Sequence, residues 1–198
     1  MPFFAPSVTT EADALFTYLE QQCTQLKLTT LELTDEQARS TPTASPLSIA
    51  GLVAHAAQVV NGWLQQVKDP ARCIGAEEYP TINDGLGLNG IFDGSALPDL
   101  GIAEVVVIFE KSIAEIEVAR RAVEENGINL GTVVPLLGNP WMPKDFVMNV
   151  RWILCHLATE IARHAGHADI IRESIDGAIA YQLNAQADGQ PWPPEGWS

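Results

Sequence analysis

The sequence predicts an all-α four-helix bundle. Four stretches carry apolar residues at the spacing of a helix face, and no stretch shows the alternation typical of a strand. The chain has 198 residues, of which 46% are hydrophobic and 18% charged, so it can build a core without disulfides. The predicted helices span residues 10–31, 46–67, 99–126 and 144–176. We therefore expect residues 1–198 to form a single domain.

The first helix is predicted from its N-terminal signal. Thr10 is a suitable N-cap, and Asp13 follows three residues later, in the position of a capping box. Thr34 and Gln37 form a second capping-box pattern. This second pattern predicts one short turn of helix before the second long helix.

The second long helix has clear predicted limits. Ser45 would cap it, with Pro46 at the first helical position, and Asp69 followed by Pro70 would end it. Residues 70–98 are rich in Gly, Pro and Asp, so we expect a long irregular connection there. Connections of this length often cover a binding site.

The two remaining helices follow in the second half of the chain. Asp99 is the predicted cap of the third helix, and Asn126 followed by Gly127 is its predicted end. A Pro- and Gly-rich loop around Trp141 comes next. The fourth helix is predicted to start near Lys144 and to end before a polar tail.

The overall charge excludes several classes of partner. The formal net charge is −14, and a surface this acidic repels phosphate backbones and anionic lipids. No apolar stretch approaches the roughly 20 residues that cross a bilayer. Three widely spaced cysteines form no disulfide pattern: Cys23, Cys73 and Cys155. We therefore expect a cytoplasmic protein that binds neither nucleic acid nor membranes.

The fourth predicted helix carries the residues that indicate chemistry. Glu160 and His164 fall within its buried stripe, and a buried carboxylate must be paired, protonated or bound to a metal. Residues four apart lie one above the other, so both side chains can reach one cation. His55, at the flank of the second helix's apolar face, can supply a third ligand. A metal-free hydrogen-bonded Glu–His pair is the alternative.

Other polar residues of the fourth helix have less defined predicted roles. His156, one turn before Glu160, could orient that carboxylate or simply touch solvent, and His167 could be an extra ligand, a supporting residue or a proton shuttle. Cys155 is predicted to be a small buried side chain. Asp169 and Arg172 could pair on the outer face of the helix, and we assign them no catalytic role.

The motif of the fourth helix resembles that of a known superfamily. The pattern W-x3-H-x3-E-x3-H-x-G-H-x-D-I-x-R-E, from Trp152 to Glu173, resembles the DinB superfamily, and in particular the DinB-like domain-of-unknown-function branch of actinobacteria. The segment LTDEQARSTPTASPLSIAGLVAHAAQVVNGWL, residues 33–64, resembles the region between the family's first two helices. The closing PWPPEGW is also similar to the family, so the resemblance covers nearly the whole chain.

The resemblance implies a four-helix bundle of DinB type with one divalent metal ion, zinc or nickel. By the same resemblance, the ligands are His55, Glu160 and His164. Many members have two histidines in the fourth helix, and Glu160 matches the N-terminal domain of mycothiol-dependent maleylpyruvate isomerase. That isomerase has a second domain which a chain of this length lacks, so its activity is not expected here. Relatives of assigned function transfer mycothiol or bacillithiol to an electrophile, which implies detoxification. Many relatives are dimers, so the resemblance allows a homodimer.

Three alternatives to an S-transferase remain at this point. A bundle can hold zinc without turnover, as a metal-binding stress or interaction protein, and a fourth ligand such as His167 would favour that interpretation. Two histidines and a carboxylate also form the ligand set of non-haem iron(II) oxygenases. The last alternative is a bundle without metal.

Overall fold

The computed structural model describes residues 3–72, 74–75, 77–90, 92–135, 142–143 and 145–196. Within these ranges the chain forms seven helices and two short strands. In chain order the elements are α1 (Glu11–Leu28), α2 (Asp35–Arg39), α3 (Ile49–Lys68), α4 (Tyr79–Leu86), α5 (Ile102–Glu125), β1 (Val133–Val134), β2 (Met148–Asn149), α6 (Val150–Asp176) and α7 (Ala180–Ala187). This composition confirms the predicted all-α fold. None of the described helices is long and apolar enough to span a bilayer.

The four long helices form the bundle. α1 lies between α5 and α6, and α3 lies on the opposite side of the bundle between the same two helices. Each long helix contributes fully buried side chains to a shared core, for example Phe16, Leu52, Phe109 and Ile153. Because α3 and α6 are neighbours in this arrangement, side chains at the edge of their contact can meet in one site.

Both predicted N-caps near the N-terminus are present, but of the two predicted capping boxes only the one at Thr34 is complete, because the Asp13 carboxylate accepts from the N–H of Thr9 rather than that of Thr10. The Thr10 hydroxyl accepts a hydrogen bond from the backbone N–H of Asp13, at 3.1 Å. The Thr34 hydroxyl accepts from the N–H of Gln37, whose side chain accepts from the N–H of Thr34 in return. Local sequence signals were sufficient here because each bond joins residues three apart.

The start of α3 differs from the prediction. The Ser45 hydroxyl accepts a hydrogen bond from the N–H of Leu47, at 3.2 Å, so it stabilises a tight turn rather than a helix. Ser48 is the N-cap instead, and its hydroxyl accepts from the N–H of Gly51 at 3.1 Å. The helix therefore starts three residues later than a cap at Ser45 would give.

The start of α5 also differs from the prediction, and a carboxylate from another helix bonds to its first turn. Asp99 is not the cap; Gly101 occupies that position, and the Glu104 carboxylate accepts from the Gly101 N–H at 2.9 Å. The Asp35 carboxylate, at the start of α2, accepts from the N–H of Ile102 at 2.7 Å. The acidic group at this helix end is therefore supplied by a distant part of the chain.

The helix that carries the site starts later than predicted. Lys144, the predicted starting point, lies outside the described residues, as do Trp141 and Cys73. Residues 148–149 are extended, because β2 pairs with β1 in an antiparallel ladder. The Asn149 side chain then accepts a hydrogen bond from the N–H of Trp152, at 2.9 Å, and α6 begins at Val150.

Two segments predicted to be irregular contain helices. The connection over residues 70–98 includes α4, and the polar tail includes α7, which packs against α1. Reciprocal amide hydrogen bonds between Gln25 and Asn184, at 3.0 and 2.8 Å, fix α7 in place. Both helices have only eight residues, so tertiary contacts rather than sequence periodicity stabilise them.

Candidate metal centre

His55, Glu160 and His164 converge at the edge of the contact between α3 and α6. The Nε2 atom of His55 lies 3.4 Å from Oε1 of Glu160, and the Nε2 atom of His164 lies 3.8 Å from the same oxygen. One ligand atom from each of the three residues lies within 4.8 Å of the other two. The three side chains are 18 to 23% exposed, so the group is sheltered and still open to solvent.

The packing of the two helices explains why these side chains meet. Each of the three is followed in sequence by a residue that the core buries: Ala56, Ile161 and Ala165. Successive residues point about 100° apart around a helix, so the residue before a buried one lies at the border of the core. Burial of these neighbours therefore sets the rotation of both helices and directs the three polar side chains toward one point.

Two of the three distances between the ligand atoms match those of a metal site, and the third is at most 4.8 Å. Ligand atoms that bind one zinc ion tetrahedrally at 2.0–2.2 Å lie about 3.4 Å from each other. The two distances to Oε1 of Glu160 are 3.4 and 3.8 Å, close to that value. The rings of His55 and His164 meet edge to face, with centroids 4.8 Å apart, so their nitrogens are not blocked by stacking. Two imidazoles and one carboxylate form a donor set suited to zinc or nickel.

A backbone hydrogen bond at Nδ1, the ring nitrogen that faces away from Glu160, fixes the orientation of His55. Its Nδ1 atom lies 2.7 Å from the backbone carbonyl oxygen of Phe92. A carbonyl only accepts, so Nδ1 carries the proton and donates it to this oxygen. In the neutral imidazole the lone pair is then on Nε2, the atom that faces Glu160. This is the arrangement that orients most histidine ligands of metals.

The second oxygen of Glu160 is held by His156. The Nε2 atom of His156 lies 2.7 Å from Oε2 of Glu160, so Oε1 remains for the candidate metal position. The His156 ring stacks on Trp152, at 4.8 Å between centroids and 12° between planes, and it meets the edge of Trp63 at 5.5 Å. His156 therefore contacts the Glu160 carboxylate, as the first of its two predicted roles requires.

The electrostatics of the group favour a cation. Burial by itself would raise the pKa of the Glu160 carboxyl, but hydrogen bonds from the three neighbouring histidines outweigh burial and hold this pKa well below its ordinary value. Burial would likewise lower the pKa of His55, yet its bonds to Glu160 and to the Phe92 carbonyl raise that pKa overall. The carboxylate is therefore ionised at neutral pH, and its negative charge attracts either a proton on His55 or a metal ion.

His167 does not join the group. It also lies on α6 and is partly buried, but the ligand atoms that lie within 4.8 Å of one another belong to the other three residues. Its direct ligation of a metal therefore stays a prediction.

Two predictions about neighbouring residues of α6 are wrong. Cys155 is exposed rather than buried, because it lies on the side of α6 opposite the core. Arg172 is buried rather than at the outer face, and its side chain donates to the carbonyls of Thr29 and Leu31 and pairs with Asp176. Asp169 is therefore not its partner, since the carbonyls at the end of α1 draw the guanidinium inward.

Two contributors to the site were missed by sequence reasoning. The first is the Phe92 carbonyl, which no side-chain pattern can reveal because every residue has one. The second is Gln58, which holds the segment around Phe92 from α3. The sequence did offer one indication of Gln58: it is a polar residue three positions after His55, on the face of α3 that is buried.

Fold and site together define the class of protein: an all-α bundle of DinB type with a candidate site for one metal ion between two long helices. Residues 14–177 match the profile of the mycothiol-S-transferase family. The chain belongs to that family, which confirms the resemblance to the DinB superfamily. Among solved structures the chain is similar to a conserved protein from Enterococcus faecalis, with a TM-score of 0.62 and 13% identity over 86% of this chain and 100% of the other. A sequence identity of 13% supports a shared fold and no shared function.

Comparison with curated proteins gives no match.

Proposed function

We propose that this chain is a metal-dependent thiol S-transferase that conjugates a low-molecular-weight thiol of the mycothiol type to an electrophilic small molecule. The observation that supports it most is the convergence of His55, Glu160 and His164 in a chain of the mycothiol-S-transferase family. The proposed ligands are these three residues, and the proposed metal is zinc, with nickel as the alternative.

The number of protein ligands favours a catalytic rather than a structural metal. Structural zinc sites usually have four protein ligands, whereas catalytic sites have three and leave one position for water or substrate. Within the described part of the chain, the group that converges has three members. A thiol could take the remaining position, since the side chains around it are partly exposed.

The metal would supply one piece of chemistry: a bound divalent cation lowers the pKa of a thiol and holds the nucleophilic thiolate. The protein's own residues prepare the site for it. Glu160 contributes the negative charge that would retain the cation, and His156 holds the other oxygen of that carboxylate, Oε2. The Phe92 carbonyl fixes the ring of His55. In the conjugation the S–H bond breaks and an S–C bond forms. In a displacement the leaving group departs with the electrons of its bond to carbon, and the thiol proton goes to solvent.

The proposal extends to the setting of the reaction. Two cysteines, Cys23 and Cys155, lie in the part of the chain that the structure describes. Both are free thiols, as expected in a reducing compartment. We place the enzyme in the cytoplasm, where conjugation of reactive electrophiles to a thiol would serve detoxification.

The test is an assay of thiol conjugation with defined metal content. The protein is loaded with Zn²⁺ or Ni²⁺ and supplied with mycothiol, bacillithiol or glutathione and a fluorogenic haloalkyl electrophile. We expect product formation above the uncatalysed rate with mycothiol. This activity should disappear on chelation and in Glu160→Gln, and it should persist in Glu173→Gln, a matched change at an exposed position of the same helix. Stable metal binding without turnover of any thiol would contradict the proposal and favour a metal-binding protein with no catalytic role.

A further inference from the structure

The hydrogen bond that orients His55 comes from a residue that lies outside the helices and strands. Phe92 lies in the connection between α4 and α5, and its carbonyl oxygen lies 2.7 Å from Nδ1 of His55. A carbonyl in such a segment has no helix or strand to fix its direction. Something else must therefore hold it against the His55 ring.

Gln58 provides that support. It follows His55 by three residues on α3, so both side chains lie on the same side of the helix. Its Oε1 atom accepts a hydrogen bond from the N–H of Phe92 at 3.0 Å, and its Nε2 atom donates to the carbonyl of Gly90 at 2.8 Å. Asn83 of α4 donates to the same Gly90 carbonyl at 3.3 Å. The Gln58 amide thus accepts from one backbone group and donates to another, as the backbone of a neighbouring strand would.

The hydrogen bonds between Gln58 and the backbone at Gly90 and Phe92 lie in the protein interior. Its side chain is 7% exposed, and Phe92 is buried as well. A glutamine in such a place must have partners for both ends of its amide, and here both partners are backbone atoms of the segment that carries the orienting carbonyl. Loss of the amide would remove the bond to the Phe92 N–H and leave the Gly90 carbonyl only its bond from Asn83, so the backbone at Phe92 would have to move to regain a partner.

Movement of this segment would act on the tautomer of His55. In the neutral ring, the Phe92 carbonyl favours a proton on Nδ1, whereas the Glu160 carboxylate, 3.4 Å away, favours a proton on Nε2. The shorter contact to Phe92 keeps the Nε2 lone pair available. With Phe92 displaced, the proton would shift to Nε2, the atom needed for the metal.

We propose that Gln58 is a positioning residue of the metal centre: it holds Phe92 so that the Phe92 carbonyl keeps His55 in the tautomer and orientation that bind metal. The inference rests on the proposed metal site. Gln58 itself does not contact the metal position, and its effect passes through Phe92 and His55.

The first test compares Gln58→Leu with Gln65→Leu. Gln65 is a matched control on the same helix, because its amide donates to Asn61 within α3, at 3.4 Å, and to no other residue that the structure describes. Zn²⁺ affinity is measured by competition with a chromophoric chelator. We expect Gln58→Leu to weaken Zn²⁺ binding about tenfold to hundredfold, the usual cost of losing support behind a ligand, and Gln65→Leu to bind like the parent protein. Equal affinity in the two variants would overturn the inference.

The second test uses metal-free protein, so it gives an answer even if the chain binds no metal. The ¹⁵N chemical shifts of the His55 ring are recorded at a pH where the imidazole is neutral. We expect the Nδ1–H tautomer in the parent protein and in Gln65→Leu, and a shift toward Nε2–H in Gln58→Leu. An unchanged tautomer in folded Gln58→Leu would reject the role of Gln58 and leave the metal site itself untouched.

The unmodified protein supplies a third measurement that needs no variant to fold. If Gln58 holds the segment, the Phe92 amide should exchange with deuterium on the order of tenfold or more slowly than an unprotected amide. Free exchange at Phe92 would show that the amide contact does not persist in solution and would refute the inference.

Discussion

The hydrogen bond from His156 to Glu160 can be tested separately from the packing of the His156 ring against Trp152 and Trp63. In His156→Phe the aromatic ring remains and can keep its stacking on Trp152 and its edge contact with Trp63, at centroid distances of 4.8 and 5.5 Å in the present structure. The Nε2 atom, 2.7 Å from Oε2 of Glu160, is lost. The variant therefore removes one hydrogen bond and leaves most of the packing in place.

The expected magnitude follows from the type of bond and its exposure. A hydrogen bond to a charged acceptor contributes about 1.5–3 kcal/mol. The side chains of His156 and Glu160 are 31 and 23% exposed, so solvent screening reduces the contribution toward the lower limit. About 1.4 kcal/mol corresponds to a factor of ten in an equilibrium constant. We therefore expect His156→Phe to bind Zn²⁺ about tenfold more weakly than the parent protein.

The assay is Zn²⁺ titration against a competing chelator, with circular dichroism to establish that each variant is folded. His156→Gln is the complementary variant: its amide nitrogen can take the place of Nε2, but the ring stacking is lost. We expect His156→Gln to retain most of the affinity. The reasoning is refuted if His156→Phe binds Zn²⁺ as tightly as the parent protein, or if His156→Gln loses as much affinity as His156→Phe.

Three further predictions concern stability. Arg172→Met removes the donor to the buried Thr29 carbonyl and should cost about 2–3 kcal/mol, so the melting temperature should fall by roughly 5–10 °C in calorimetry. Gly51→Ala would place a Cβ atom 2.2 Å from the carbonyl oxygen of Gly94, too close without backbone movement, and should cost about 1–3 kcal/mol in urea unfolding. Burial raises the pKa of Asp169 to about 6, so its ionised form opposes folding, and Asp169→Asn should stabilise the protein by about 1 kcal/mol at pH 8 once solvent screening is allowed for. This gain should vanish below pH 4, where the carboxyl is protonated in both the folded and the unfolded chain.

Each of these predictions has an outcome that contradicts it. An unchanged melting temperature in Arg172→Met would mean that the bonds at the end of α1 add nothing to stability. Gly51→Ala with parental stability would mean that the segment at Gly94 can yield freely. A gain from Asp169→Asn that is the same at pH 4 and pH 8 would show that titration of this carboxyl is not the cause.

The parts of the fold that were predicted correctly are those set by neighbouring residues. The caps at Thr10 and Thr34 involve partners three residues away, and both are present. The start of α5 was predicted two residues too early because Asp35, far away in the sequence, supplies the carboxylate there. The start of α6 was missed because residues 148–149 pair with a strand that only the folded chain brings close. Sequence periodicity carries no record of such long-range partners.

In the candidate site, too, the features set by nearby residues could be predicted from the sequence, and those set by distant parts of the chain could not. His55, Glu160 and His164 could be found because polar side chains at the border of an apolar face stand out in the sequence, and helical spacing relates two of them. Their convergence is now visible in the structure. The Phe92 carbonyl and the Gln58 amide could not be placed, because their roles depend on how the connection between α4 and α5 folds back on α3.

Metal content tests the central claim most directly. The protein is purified without an affinity tag and measured by elemental analysis beside His55→Ala, Glu160→Ala and the exposed-site control Glu173→Gln. Three convergent ligands predict about one equivalent of zinc or nickel in the parent protein and in Glu173→Gln, with loss of the metal in the other two variants. A parent protein that contains no metal and takes up none on titration would contradict the account, and so would metal that remains bound in both ligand variants.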